Sequence, residues 1–230
     1  MNETIIALPP APDVLVGLFG ARAPLAREGV RALHGALPAA PHSVREAWRS
    51  HFGKWAGRAS GRIPGELAKL ARRFGVDPSA GPPETLLFAL QTYYALAVAH
   101  VVRRRGDCRV DDLLPGNPFA WCDAARSEPI ARFRERLDLA WSDPRPNDRV
   151  KTSEETSDWF KPLYENLFPR ALRHLLGEYY TPDWLARHVL DQVGYHGEPD
   201  RRLLDPSCGS GTFLVQALQR WKGMRGEGRG

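Results

Sequence analysis

The sequence predicts a mostly α-helical chain whose last third opens an α/β fold with one helix, one strand, a glycine-rich loop and a second helix. Three observations carry that expectation. Through most of the first 150 residues, apolar side chains recur at three- and four-residue spacing between proline and glycine breaks. A single short apolar pair, Leu203-Leu204, has the look of a strand. It leads into Asp205-Pro206-Ser207-Cys208-Gly209-Ser210-Gly211-Thr212-Phe213, after which Leu214 to Trp221 is amphipathic. Strand, tight glycine turn and helix, in that order, let backbone N–H groups and a helix N-terminus approach a nucleotide-like cofactor.

The elements follow in order. The first forty residues, rich in Ala, Pro and Leu, read as short helices joined at prolines, with Pro9-Pro10 interrupting any secretory core. Residues 43–75 read as helix, turn, helix. Val44, Trp48, Phe52 and Trp55 share one face, Gly61 to Pro64 turn the chain, and Gly75 stops the second helix. Asp77-Pro78 and Gly81-Pro82-Pro83 make the next break, and Glu84 opens a long apolar helix over 85–102. At eighteen residues that helix is just long enough to cross a bilayer, but Gln91, His100 and two tyrosines interrupt it; a buried core helix is the expectation. Residues 111–118 read as loop, and 127–140 as a helix offering Ile130, Phe133, Leu137 and Leu139 for burial. Residues 143–150, polar and broken by proline, make the linker, so that a helical domain spans 1–150.

From residue 151 to 222 the elements shorten. Pro162 and Pro169 suit the first turns of two helices, with Trp159, Leu163, Leu167 and Ala171 on one face. Gly177 is a stop. Thr181 caps a helix that starts at Pro182, runs to Val193 and ends at Gly194, with Asp183 favourable to its dipole. Residues 223–230 read as a flexible tail.

Composition narrows the function classes. The chain has 230 residues, 43% hydrophobic and 26% charged, as an ordinary globular protein has. A formal charge of +5 and a sequence pI near 9.3 suit a polyanionic partner without requiring one. The cysteines Cys108, Cys122 and Cys208 have no C-x-x-C spacing and the seven histidines do not gather near them. Neither a disulfide framework nor a metal site is expected, and a reduced cytoplasmic setting fits.

Two segments together carry a resemblance. Leu176-Gly177-Glu178-Tyr179-Tyr180-Thr181-Pro182 lies 28 residues ahead of the glycine loop, counting Gly177 to Asp205. The pair is similar to motif X followed by motif I of the S-adenosylmethionine-dependent DNA adenine-N6 methyltransferases of restriction-modification and phage-defence systems, in their gamma-class order. Upstream, LLFALQTYYALAVAHVV resembles a helix of the large enzymes of this group, with Gln91 where they carry histidine. Asn117-Pro118-Phe119-Ala120-Trp121 resembles a further segment of theirs.

The resemblance implies an incomplete α/β methyltransferase fold and S-adenosylmethionine as cofactor, bound by Glu178, Tyr179, Tyr180, Thr181, Pro182, Asp205, Pro206, Ser207, Cys208, Gly209, Gly211, Thr212 and Phe213. Physically, Gly209 and Gly211 free the backbone to turn beneath a cofactor, Asp205 can pair with its amino group, and Thr181 and a helix N-terminus suit its carboxylate. Phe213, by resemblance, helps wall the pocket, and Cys208 reads as a small turn residue. Adenine methylation further needs a flipped base held by an Asn/Asp-Pro-Pro-aromatic segment. No such segment occurs in the chain, so no catalytic residue is assigned. The expectation is the N-terminal part of a larger methyltransferase, inactive alone, whose partners are DNA and a catalytic and specificity-bearing portion or companion subunit, with no membrane.

Other readings stand beside it. One is a non-catalytic helical module, binding DNA or a partner, with a vestigial cofactor loop. Another is part of an RNA or protein methyltransferase. The basic run Arg45, Arg49, Lys54, Arg58, Arg62, Lys69, Arg72 and Arg73 reads either as a solvated face above buried aromatics or as contacts to DNA phosphates.

Overall fold

A computed structural model describes residues 12–50, 63–104, 119, 121–124, 127–140 and 158–227. Expectations placed on Pro9-Pro10, Phe52, Trp55, Lys54, Arg58, Arg62, Cys108, the 111–118 loop, the 143–150 linker and residues 228–230 lie outside these. Among the described residues the chain is helical and contains no β-strand. The helices in order are α1 (Pro12–Phe19), α2 (Pro24–Ala36), α3 (His42–Trp48), α4 (Ile63–Phe74), α5 (Pro83–Arg104), α6 (Trp121–Ala124), α7 (Glu128–Ala140), α8 (Phe160–Leu167), α9 (Arg170–Leu175), α10 (Asp183–Gln192) and α11 (Thr212–Glu227).

The long apolar helix α5 is the centre of the larger core. Helix α2 packs on α5 and α7, α4 packs on both α2 and α5, and α8 lies against α1 and α5. Leu86 to Leu90, Tyr93, Ala97 and Val101 of α5 are buried among them. This is the one described helix long and apolar enough to cross a membrane, and two thirds of its most apolar window is covered by protein. Three of its polar side chains find hydrogen-bond partners inside the protein, as burial demands. The Tyr93 hydroxyl donates to the Phe19 carbonyl at 2.9 Å, Gln91 Oε1 accepts from the Trp48 indole at 2.6 Å, and Thr92 Oγ1 accepts from the Trp121 indole at 3.2 Å. Phe119 and Trp121 therefore stand against Phe88 in the core.

Close approach of α2, α5 and α7 needs a missing side chain. A Cβ on Gly29 would lie 2.5 Å from the Phe133 ring and 2.8 Å from that of Tyr93. In α7, Ile130, Phe133 and Leu137 are buried as the spacing demands, but Leu139 is 66% exposed. Two residues beyond Leu137 a helix has turned some 200°, which carries Leu139 to the far side.

The core continues through α8 and α9: Leu163, Leu167, Phe168, Leu172 and Leu176 belong to it. Asn166 of α8 accepts the Ala21 N–H at 2.8 Å and so closes the end of α1. Ala171, expected on the face of Leu163 and Leu167, is exposed. Phe168 is extended (φ −107°, ψ 102°) and breaks the helical phase, so Leu172 takes the buried place.

A second, much smaller cluster joins α10 to α11. It consists of Leu190, Tyr195 and Ala217, with Leu203 and Phe213 packed against it. The strand expected at Leu203-Leu204 is absent: residues 201–205 belong to no described ladder, and Leu204 is 86% exposed. An apolar pair becomes a strand only beside another strand, and among the described residues there is none. Helix α11 runs on through Glu227, beyond the expected stretch Leu214 to Trp221 and into the residues expected as tail.

Candidate functional site

The residues Gly177 to Pro182 cross from the larger core to α10. Gly177 (φ 78°) ends α9 with a left-handed turn, in which the Glu178 N–H reaches back to the Arg173 carbonyl at 2.8 Å. The segment then lies along α8 and α9. The Tyr164 hydroxyl donates to Glu178 Oε2 at 2.8 Å. The Tyr180 ring meets Tyr164 edge-on, with centroids 5.9 Å apart, and the Arg173 guanidinium and Lys161 ammonium lie 5.2 and 5.7 Å from its centre. Lys161 also donates to the Thr181 carbonyl at 3.3 Å and pairs with Asp183 at 3.6 Å.

Burial governs the titration of this group. It raises Glu178, outweighing the Tyr164 hydrogen bond and the Arg173 charge that pull the other way. Desolvation first, then the nearby Glu178 charge, raises Tyr164 and Tyr180 far above ordinary phenols. Tyr179 points out instead, 71% exposed and stacked on His174.

Thr181 does not cap α10. The cap position is Pro182, with no side-chain hydrogen bond to the helix. Proline holds the extended φ that the cap requires and moves the helix start to Asp183. The Thr181 hydroxyl is left with no hydrogen bond among the described residues, and the first N–H groups of α10 have no acceptor within the helix.

The turn from Asp205 to Phe213 forms at the start of α11. Asp205 Oδ1 accepts the Ser207 N–H at 3.1 Å, and the Gly211 N–H closes a turn on the Cys208 carbonyl at 2.7 Å. Gly209 (φ 53°) and Gly211 (φ 90°) take backbone conformations that side chains disfavour, with no atom within 4 Å of where a Cβ would stand. Two polar atoms here, Asp205 Oδ2 and Ser210 Oγ, are buried and have no hydrogen-bond partner among the described residues. Pro206, Ser207, Cys208 and Gly209 are exposed and Thr212 is buried. The Phe213 ring packs into the small cluster with Leu190, Tyr195 and Ala217. No hydrogen bond or ion pair joins this turn to residues 178–182 among the described residues; helices α10 and α11 connect the two segments.

Several residues that position these segments gave little sign in the sequence. Arg220 of α11 donates to the Tyr195 carbonyl at 2.6 Å and to the Arg187 carbonyl at 2.7 Å, and pairs with Asp191 at 2.8 Å, clamping α11 to α10. Gly197 (φ 105°) lets the chain touch α11: its Cβ would lie 2.5 Å from the Arg220 backbone. Tyr164 and Lys161, one helical turn apart, carry a faint signal in their shared face. Arg173 carries none, since only the fold shows it buried.

No curated protein and no solved structure matches the chain. A family does: residues 155–228, the last third of the chain, match the model of the N-6 DNA methylases. Both segments built above fall within that stretch, over which the chain is similar to the N-6 DNA methylases.

Proposed function

We propose that residues 177–213 supply part of the S-adenosylmethionine site of a DNA adenine-N6 methyltransferase. The observation that carries this is Asp205 Oδ2, buried and unpartnered among the described residues, beside two glycines with no atom within 4 Å of where a Cβ would stand. An unpaired buried carboxylate oxygen is costly and calls for a cationic or N–H donor, which the amino group of the methionine moiety provides. Ser210 Oγ, the free Thr181 hydroxyl and the N-terminus of α10 offer further polar contacts. Glu178, Tyr180 and Pro182 serve by fixing the position of Thr181, and Tyr179 offers an exposed ring. When bound, the cofactor supplies an activated methyl group on a sulfonium centre.

The chain contains no Asn/Asp-Pro-Pro-aromatic segment to hold a flipped adenine. Base capture and transfer therefore require a further polypeptide segment or subunit. Trp184, Val193, Leu204, Leu214, Leu218 and Met224 are all exposed around the α10–α11 pair, and such an apolar surface suits a covering partner. The backbone of 202–204 makes no hydrogen bond among the described residues and is free to pair with a strand of that partner. The setting proposed is the cytoplasm.

The test is titration of S-adenosylmethionine into the purified chain, followed by NMR or calorimetry. Weak saturable binding is expected, abolished by Asp205→Ala and by Gly211→Val. A folded chain that shows no binding overturns the cofactor reading, and methyl transfer to DNA by the chain alone overturns its incompleteness. The rival reading, a helical DNA-binding module with an unused cofactor loop, draws support from the basic groove described next.

A further inference from the structure

A sizeable concavity lies away from the glycine turn. It is an open groove of about 740 Å³ between α2 and α7. Five arginines line it: Arg22, Arg27 and Arg31 from the α2 side, Arg132 and Arg136 from α7. Arg27 and Arg31 are one turn apart on their helix, as are Arg132 and Arg136 on theirs, so each pair spans about 6 Å along the groove. Glu128 pairs with Arg132 and Glu28 with Arg136, while Arg22, Arg27 and Arg31 have no ion-pair partner among the described residues. Next to the groove, Arg27 and Arg31 lie beside Gly75, which follows the last turn of α4 with its Arg72 and Arg73.

We infer that this groove seats the sugar-phosphate backbone of duplex DNA. Guanidinium groups present a planar fork that matches phosphate oxygens, and a concave cluster of them concentrates the field. Five cations against two carboxylates leave the groove strongly positive. The rest of its lining is Pro24, Ala32, Gly35, Ala36, Ser127 and Pro129. That lining has no aromatic ring on which single-stranded bases would stack and no large apolar side chain to enter a lipid surface. The inference does not depend on the cofactor reading, because none of its residues lies in 177–213.

The test is fluorescence anisotropy of a short labelled duplex with the full chain, without cofactor, between about 50 and about 200 mM salt. Contacts to four or five phosphates give a log–log salt slope of about −4. Arg27→Glu with Arg31→Glu, both exposed positions, is expected to weaken binding more than about tenfold and to flatten the slope by about two. Glu128→Gln frees Arg132 and is expected to tighten binding about twofold, a gain that misfolding cannot imitate. Arg45→Glu with Arg49→Glu, outside the groove, is expected to bind as wild type does. The proposal is overturned if the duplex is not bound at the lowest salt, or if only the Arg45/Arg49 variant loses binding. It is equally overturned if the matching single strand or phosphatidylserine vesicles bind in preference to the duplex. Loss of duplex binding in the groove variant with S-adenosylmethionine binding intact separates this surface from the cofactor site.

Discussion

At Glu178 a carboxylate is held between the aromatic floor of α8 and the start of α10, and its titration reports on that seat. Burial raises its pKa, so folding favours the protonated acid. The native state therefore draws its full benefit below the ordinary carboxylate pKa and loses it as pH rises through the raised folded value. Thermal unfolding of wild type and Glu178→Gln from about pH 4 to about pH 7 should show wild type losing ground to the neutral variant as pH rises. A gap that stays constant with pH would mean that the carboxyl titrates as a free one. The resemblance to motif X made Glu178 an expected cofactor residue. What spacing cannot carry is that Tyr164, fourteen positions away, already occupies one of its oxygens. At Asp205 the place at the head of the glycine turn was legible, whereas the buried, unpartnered oxygen shows only in the fold.

Among the elements, helices with strong periodicity were legible. Helix α5 sits where its apolar run placed it, and α7 buries three of its four expected side chains. Two kinds of feature were not. Phase shifts at single extended residues, such as Phe168, exchange Ala171 for Leu172 without changing composition. Long-range backbone contacts leave no periodic trace, and the touch of Gly197 on Arg220 is one. That contact has a measurable cost. Gly197→Ala forces a Cβ against backbone at a left-handed φ, which costs about 1–3 kcal/mol. Trypsin cleavage at Arg201-Arg202 is expected to quicken about 5- to 150-fold while the bonds within α5 remain protected. Equal acceleration in both places would mean that the small cluster unfolds only together with the large one. The missing strand belongs here too: Leu203-Leu204 has strand composition, but a ladder is a property of two segments and only one is described.

Over the whole molecule the apolar interior is unequally divided. The larger cluster draws on helices from α1 to α9, whereas the small cluster at α10 and α11 is built on Leu190, Tyr195 and Ala217, beside the Arg220 clamp. Local stability follows such differences. Peptide-resolved hydrogen exchange should therefore show α10 and α11 exchanging well before α2, α5 and α7; S-adenosylmethionine should slow the first pair and leave the second group unchanged. Exchange at one common rate would mean a single cooperative unit.

Helix α8 belongs to both sides of that division. Leu163 and Leu167 face the larger core, and Lys161 and Tyr164 hold Tyr180 and Thr181. Recombination between related chains is constrained accordingly. A crossover in the proline-rich stretch 143–150 would keep α8 with the Tyr180 segment but set it against a foreign α1 and α5. A crossover at Gly177 would keep the helical interior whole but present a foreign segment to Lys161, Tyr164 and Arg173. Exchange at either junction succeeds only where both faces of this one eight-residue helix are matched, so the helical part and the Tyr180 segment are expected to be inherited together.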